Sequence, residues 1–137
     1  MVFIDSNIFM YAAGSTHKNK IPSVRFLHLV AAREIEGCIN TEVLQEVLHR
    51  YRYIKRWEEG KEVYNLIKKI IPIVIPVDMP ILDTAYDLLD KYPDIYARDA
   101  VHTATILHHN ISLIVSYNRD FDIMKDEIER KEPEELF

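Results

Sequence analysis

Short apolar runs alternate with longer helical segments along the chain, and this alternation limits the folds that it can adopt. Strands that are separated by helices pair in parallel through crossover connections, so the pattern predicts an α/β fold. The apolar runs predict strands over Val2 to Ile4, Ile73 to Val77 and Ser112 to Val115, with a very short strand at Cys38 and Ile39. Helical patterns cover Ile8 to Ala13, Ser23 to Ile35, Glu42 to Tyr53, Trp57 to Ile70, Ile81 to Lys91, Ala97 to His109 and a short stretch around Asp122 to Glu127.

Residues 1–137 are expected to form a single domain, because the sequence contains no internal repeat, low-complexity segment or long linker. A chain of this length buries roughly two-thirds of the surface that its unfolded form exposes, so it needs no disulfides. The one cysteine, Cys38, cannot form an internal disulfide, which indicates a reducing, cytoplasmic location. The tail, from about residue 126 to 137, carries dense mixed charge and predicts a frayed helix, with Leu136 and Phe137 docking back onto the core.

The composition argues against several classes of function. The net charge is −5, from 17 Lys and Arg against 22 Asp and Glu, which disfavours a nucleic-acid binder with a broadly basic surface. Phosphate binding through a local basic patch or through bound metal ions is compatible with this net charge. The glycines at 14, 37 and 60 lie too far apart to build a phosphate-binding loop. No signal peptide or long apolar span is present, so no membrane partner is expected.

Asp5 directly follows the first predicted strand, in the segment VFIDSNIFMYA. The carboxyl edge of an open α/β sheet is where ligands bind, so a carboxylate here is a candidate ligand-binding group. The alternative is that Asp5 or Ser6 only caps the following helix by accepting a hydrogen bond from a free backbone N–H. The positions of other acids bear on this choice.

Three further acids lie in helical segments. In TEVLQEVLHRY, Glu42 points away from the apolar stripe at ~100° per residue, whereas Glu46 lies near its border and is the better candidate for a cleft. Asp99 lies near the start of a helix, where the helix dipole is an alternative reason for an acid. His102 follows Asp99 by one turn, and we expect a solvated or hydrogen-bonded histidine without a role in the site.

Asn118 and Asp120 follow the strand predicted at Ser112 to Val115, in the segment SYNRDFD. Carboxylates that gather at one sheet edge repel one another unless a cation neutralises them. Mg²⁺ and Mn²⁺ prefer oxygen ligands and can activate water for attack on phosphorus. The acids therefore predict a divalent-metal site for phosphodiester hydrolysis.

A basic and aromatic segment, HRYRYIKRW, follows Glu46. Interleaved cations and rings suit single-stranded nucleic acid, with cations on phosphate and rings against bases. The alternative is an amphipathic helix whose cationic side chains extend from its apolar face into water. The candidate RNA-binding residues are Arg50, Arg52, Lys55 and Arg56.

The order of four motifs carries a family resemblance. An early DSN, a central VLQEVLHR, a later RDAVHTATIL and a closing SYNRDFD closely resemble the PIN-domain nucleases, especially VapC-type toxin ribonucleases of toxin–antitoxin modules. The resemblance spans almost the whole chain. It implies a three-layer α-β-α domain with a central parallel sheet flanked by helices, Mg²⁺ or Mn²⁺ as cofactor, and endoribonuclease activity.

The resemblance also assigns residues. It implies Asp5, Glu46 and Asp99 as the first three catalytic acids, with Asp120 as the charged candidate for the fourth. Metal ligands would be Asp5, Asp99, Asp120 and, through its amide oxygen, Asn118; the choice between Asn118 and Asp120 for the fourth position stays open. Asn7 and Ser116 would hydrogen-bond the acids that bind the metal.

Partners follow from the same resemblance: an RNA substrate, a cognate antitoxin lying over the acidic cleft or the RNA groove, and a second copy of the chain. Surplus apolar residues on one helix, Val63, Tyr64, Leu66 and Ile67, are the candidate dimer surface. Two alternatives stay open, a non-catalytic RNA- or protein-binding module and a housekeeping RNA-processing nuclease. A receiver domain or D-x-D phosphatase is disfavoured, because the first strand is followed by Asp5, Ser6 and Asn7 rather than paired acids.

Overall fold

A computed structural model describes every residue from Met1 to Phe137. Its strands are β1 (Val2–Ile4), β2 (Gly37–Asn40), β3 (Ile73–Ile75), β4 (Leu113–Val115) and β5 (Arg130–Lys131). Its helices are α1 (Ser6–Ala13), α2 (Lys20–Ala31), α3 (Thr41–Tyr53), α4 (Trp57–Ile70), α5 (Met79–Lys91) and α6 (Ala97–His108), with 3₁₀ helices at Arg119–Met124 and Pro133–Leu136.

All five strands are parallel, in the order β3-β2-β1-β4-β5, and helices flank the sheet. The predicted α/β class and the central parallel sheet are confirmed. The central strands are apolar because both faces of the sheet are covered, and Phe3, Ile39 and Ile114 are fully buried. No helix combines the length and the apolar character needed to cross a bilayer.

The strand order reverses direction at β1. From β1 the chain first adds β2 and β3 on one side, and later returns to place β4 on the other side. Ile4 is in register with Val115, so Asp5 and Ser116 leave the sheet at the same edge. Such a reversal opens a crevice at the carboxyl ends of the strands, which is the usual ligand site of this architecture.

The C-terminal tail forms a short strand where a frayed helix is predicted. Residues Arg130–Lys131 pair in parallel with β4, and the N–H groups of Ile114 and Ser116 donate to the carbonyls of Glu129 and Lys131 at 2.9 and 3.0 Å. The guanidinium of Arg130 holds this strand by donating to both carboxylate oxygens of Asp122. Pairing with the exposed edge of β4 therefore outweighs the local helical preference of this charged segment.

Several other element ends also differ from the predicted ranges. Strand β3 stops at Ile75 instead of Val77, because Pro76 has no N–H to continue the ladder. Helix α2 begins at Lys20 and stops at Ala31, before Ile35, and Arg33 has a positive φ of 62° that turns the chain toward β2. At the C-terminus, Leu136 packs against the core as expected, whereas Phe137 is exposed beneath the guanidinium of Arg25.

Candidate active site

Asp5 is buried at the end of β1, and its carboxylate is held from three directions. Oδ1 accepts a hydrogen bond from the backbone N–H of Ser6 at 2.8 Å. Oδ2 accepts from the hydroxyl of Ser116 at 2.6 Å and from the side-chain amide of Asn7 at 3.1 Å. Asp5 therefore caps α1 and also faces the crevice, so the two interpretations of this residue are compatible.

Glu46 reaches the same crevice from α3. The hydroxyl of Ser6 donates to its Oε2 at 2.7 Å, and Nε2 of His102 lies 2.5 Å from its Oε1. Ser6 thus links Asp5 to Glu46, since its backbone contacts one carboxylate and its side chain contacts the other. The choice of Glu46 over Glu42 from helical periodicity agrees with this placement.

His102 is buried, and its neighbours define which ring nitrogen donates. Asn40 Oδ1 accepts from the N–H of Val43 at 2.9 Å, which fixes the orientation of the Asn40 amide. Its Nδ2 group therefore faces His102 Nδ1 at 3.2 Å and Thr105 Oγ1 at 2.9 Å. Nδ1 must accept this hydrogen bond, so Nε2 carries the proton that is donated to Glu46.

Asp99 enters the crevice from the first turn of α6. Nδ2 of Asn118 lies 3.5 Å from Asp99 Oδ2, while Oδ1 of Asn118 accepts from the N–H of Asp120. The amide oxygen of Asn118 is thus engaged as a helix cap, and its amide nitrogen faces Asp99. Asp120 is exposed at the rim of the site. Asn7 donates to both Asp5 and Ser116, so the two residues that the resemblance placed beside the acids contact each other and Asp5.

The site carries excess negative charge. Burial, followed by the charge of Asp5, raises the pKa of Asp99 to about 6. Burial also raises the pKa of Asp5, and the positive charge of a protonated His102 is the largest effect that opposes this shift. Burial alone would raise the pKa of Glu46 as well, but the hydrogen bonds from His102 and Ser6 prevail and lower it. No lysine or arginine forms an ion pair with Asp5, Glu46 or Asp99; His102 is the only basic side chain within 4 Å of Asp5 or Glu46.

The donor set fits a hard divalent cation. Ligand atoms of Asp5, Glu46 and His102 all lie within 4.8 Å of one another. Both nitrogens of His102 are already engaged, with Glu46 and with Asn40, so the groups that face the crevice are carboxylate oxygens. Oxygen ligands of this kind suit Mg²⁺ or Mn²⁺.

The structure separates the four predicted RNA-binding cations. Arg50 lines a cleft that also contains Glu46. Arg52 lies over the ring of Trp57, 4.5 Å from its centroid, and Arg56 forms an ion pair with Glu59 at 2.7 Å. Lys55 is exposed beyond the end of α3. Among these four side chains, only Arg50 shares a cavity with one of the acids.

Comparison with known proteins identifies the family. A family model described as PIN domain matches residues 2–127. The chain belongs to the PIN-domain family. Ribonuclease VapC13 of Mycobacterium tuberculosis is 36% identical over 122 residues, which cover 89% of this chain and 93% of that protein. Ribonuclease VapC23 of the same species is 27% identical over 118 residues, covering 86% and 93%. These names support an RNA-cleaving hydrolase.

Solved structures share the fold of this PIN domain. VapC20 of Mycobacterium tuberculosis, described as a Sarcin-Ricin loop cleaving toxin, has a TM-score of 0.76 at 13% identity and covers 90% of this chain and 95% of its own. VapBC2 of Rickettsia felis, bound to a promoter DNA fragment, has a TM-score of 0.73 at 20% identity, covering 95% and 98%. At these identities the likeness shows the fold alone.

Sequence reasoning missed the inner hydrogen-bond network of the PIN domain. His102 was expected to have no role in the site, and Asn40 and Thr105 were not singled out. The spacing of Asp99 and His102, three residues apart in one helix, was the available signal. The partners of His102 are distant in sequence, since Glu46 on α3 is 56 positions away and Asn40 on β2 is 62 positions away.

The raised pKa of Asp99 predicts a pH-dependent stability difference. The folded-state value of about 6 exceeds the ordinary 3.8, so between these values the folded protein binds more protons, and stability falls as pH rises. Asp99→Asn removes this titration. Without metal, the variant is expected to be more stable than wild type above about pH 6.

Thermal melts in chelator across this pH range measure the difference between the two proteins. We expect the advantage of Asp99→Asn to shrink as pH falls from about 6 toward 3.8. An advantage that does not change with pH, or a loss of stability at neutral pH, would contradict the charge repulsion inferred for this site.

Proposed function

We propose that this PIN domain is a Mg²⁺- or Mn²⁺-dependent endoribonuclease and the toxin of a VapBC-type toxin–antitoxin pair. The observation that carries the proposal is the placement of Asp5, Glu46 and Asp99 around one crevice without a lysine or arginine ion pair. The ribonuclease names of its relatives support RNA as the substrate.

In this proposal Asp5 and Asp99 hold the metal, with Glu46 beside them. When bound, the ion supplies positive charge that offsets the negative charge of the carboxylates and the negative charge that develops on the phosphate in the transition state. Ser116 and Asn7 keep the carboxylate of Asp5 aimed at the crevice.

Asn118 and Asp120 lie at the outer side of the site, and the proposal gives each of them a separate role. Asn118 orients Asp99 through its amide nitrogen. Asp120, which is exposed, serves in this proposal as the fourth acid and contacts a metal or water that arrives with substrate.

The alternatives stated above are less well supported. In a non-catalytic binding module the acids have no need of organised donors, yet Asp5 and Glu46 are each hydrogen-bonded at both oxygens. A housekeeping nuclease fits the same site. The toxin role is preferred because relatives are named VapC and the solved neighbours include toxin–antitoxin complexes, one of them from Klebsiella pneumoniae with a TM-score of 0.72.

Cleavage assays test the activity. Purified protein is incubated with single-stranded and structured RNA in Mg²⁺, in Mn²⁺ and in chelator. Cleavage is expected only with metal, and Asp99→Asn should reduce its rate by about a hundredfold or more. Asp87→Asn, which removes an exposed acid from α5, is the matched control and should cleave as wild type does. Cleavage that survives chelation, or that Asp99→Asn leaves intact, would disprove the mechanism.

An apolar groove between α1, α2 and α4 is our proposed docking site for an antitoxin segment. It has a volume of about 540 Å³ and is lined by apolar side chains, among them Phe9, Leu27 and Leu66. Leu66 is 53% exposed, so the groove presents apolar surface to solvent. The antitoxin position expected over the acidic cleft or the RNA groove stays a prediction, and this groove is proposed as a second contact for the same partner.

The homodimer stays a prediction, but we propose a contact surface on α5 in place of the one expected on α4. Val63 and Ile67 belong to the buried core and are not available for a flat dimer contact. Helix α5 instead exposes Met79, Leu82 and Tyr86, which lie three and four residues apart on one face. We propose that a second copy of the chain covers this face.

Leu66→Asp distinguishes the two surfaces. The variant is expected to lose co-purification with the antitoxin encoded by a neighbouring gene, because a charge enters the groove. Light scattering of the variant alone should still give a dimer mass, and Tyr86→Asp should give a monomer. Retained antitoxin binding by Leu66→Asp would contradict the groove, and a dimeric Tyr86→Asp would contradict the α5 face.

A further inference from the structure

A cleft opens directly from the acidic centre on the side of α3. Its volume is about 280 Å³, and Ser6 and Glu46 form the part that it shares with the centre. Its walls carry two arginines, Arg50 from α3 and Arg98 from α6. A ligand in the acidic centre can therefore extend into a neighbouring space that carries the opposite charge.

The two arginines come from positions that fix them beside the acids. Arg50 follows Glu46 by four residues, so the two lie on the same face of α3. Arg98 directly precedes Asp99, and its charge acts on Glu46 across the cleft. Both arginines are exposed, and neither forms a direct ion pair with a carboxylate, so their donors are open to a phosphate.

Aromatic surface lines the same cleft. His49 and Tyr53 are four residues apart on α3, and their rings are nearly parallel, with centroids 6.2 Å apart and an interplanar angle of 20°. Tyr53 is 73% exposed, which is high for a large aromatic residue in a folded domain. Exposed rings beside arginines are the combination that binds unpaired bases in single-stranded nucleic acid.

We propose that this cleft binds the nucleotide adjacent to the bond that is cleaved, with its phosphate on Arg50 and Arg98 and its unpaired base against Tyr53 and His49. The inference rests on the proposed function, since it takes RNA as the substrate. It adds two requirements: the RNA is single-stranded next to the cleavage point, and Arg98 contributes to binding. Arg52 and Arg56, engaged with Trp57 and Glu59, do not take part.

Binding is measured separately from cleavage. The probe is a fluorescein-labelled single-stranded RNA of mixed sequence, and its anisotropy is followed in Mg²⁺ with the protein in the Asp99→Asn background. Arg50→Gln and Arg98→Gln are each expected to weaken binding about tenfold. Each should also reduce the slope of log affinity against log salt by about 0.7, the value for one phosphate contact on a single strand.

Separate variants test whether an unpaired base stacks against Tyr53. Tyr53→Ala is expected to weaken binding about tenfold without changing the salt slope, and Tyr53→Phe should bind as the parent does, because the ring is retained. The same RNA annealed to its complement should be insensitive to Tyr53→Ala, since its bases are already paired.

Arg33→Gln is the matched charge control. Arg33 donates to the carbonyl of Ile70, and both residues precede strands, so they lie at the opposite edge of the sheet from the acids. This variant should leave affinity and salt slope unchanged. If Arg33→Gln weakens binding as much as Arg50→Gln and Arg98→Gln, or if the latter two have no effect, the cleft is not the binding site.

The cleavage assay separates this inference from the proposed function. A protein that cleaves no RNA but binds it through Arg50, Arg98 and Tyr53 would disprove the activity and support the cleft. A protein that cleaves RNA with metal while its cleft variants match Arg33→Gln would support the activity and disprove the cleft.

Discussion

Repulsion among neighbouring buried carboxylates is the constraint that the rest of this site has to satisfy. Asp5, Glu46 and Asp99 come from different elements, and burial alone opposes the charge on each of them. The fold answers with hydrogen-bond donors: the backbone N–H of Ser6, the hydroxyls of Ser6 and Ser116, and Nε2 of His102. Donors hold the carboxylates in place without fully cancelling their charge, which leaves the site ready for a cation.

The sheet topology places these groups and the inner network keeps them rigid. Because β4 returns beside β1, Ser116 meets Asp5 across 111 residues of sequence. Asn40 then connects three elements, since it ends β2, caps α3 and contacts His102 of α6. A fully buried polar residue with all of these partners orients His102, and through it Glu46, so a residue remote from the crevice contributes to its geometry.

Sequence reasoning predicted the parts that depend on local pattern. Apolar runs located the central strands, and helical periodicity distinguished Glu46 from Glu42. It failed where distant partners decide the outcome: His102 is buried only because Glu46 and Asn40 satisfy both ring nitrogens, and β5 forms only because β4 offers a free edge. The RNA-binding cations stay a prediction, and spacing along the chain does not reveal that Trp57 and Glu59 contact Arg52 and Arg56.

The central claim is that the crevice at the end of β1 binds a divalent cation through its carboxylates. Titration of Mn²⁺ into the protein, followed by the electron paramagnetic resonance signal of free Mn²⁺, tests it most directly. Wild type is expected to deplete free Mn²⁺, Asp5→Asn to lose this binding, and Glu42→Gln, one turn before Glu46 on the same helix, to bind as wild type does. Equal binding by wild type and Asp5→Asn, or no depletion by wild type, would contradict the account.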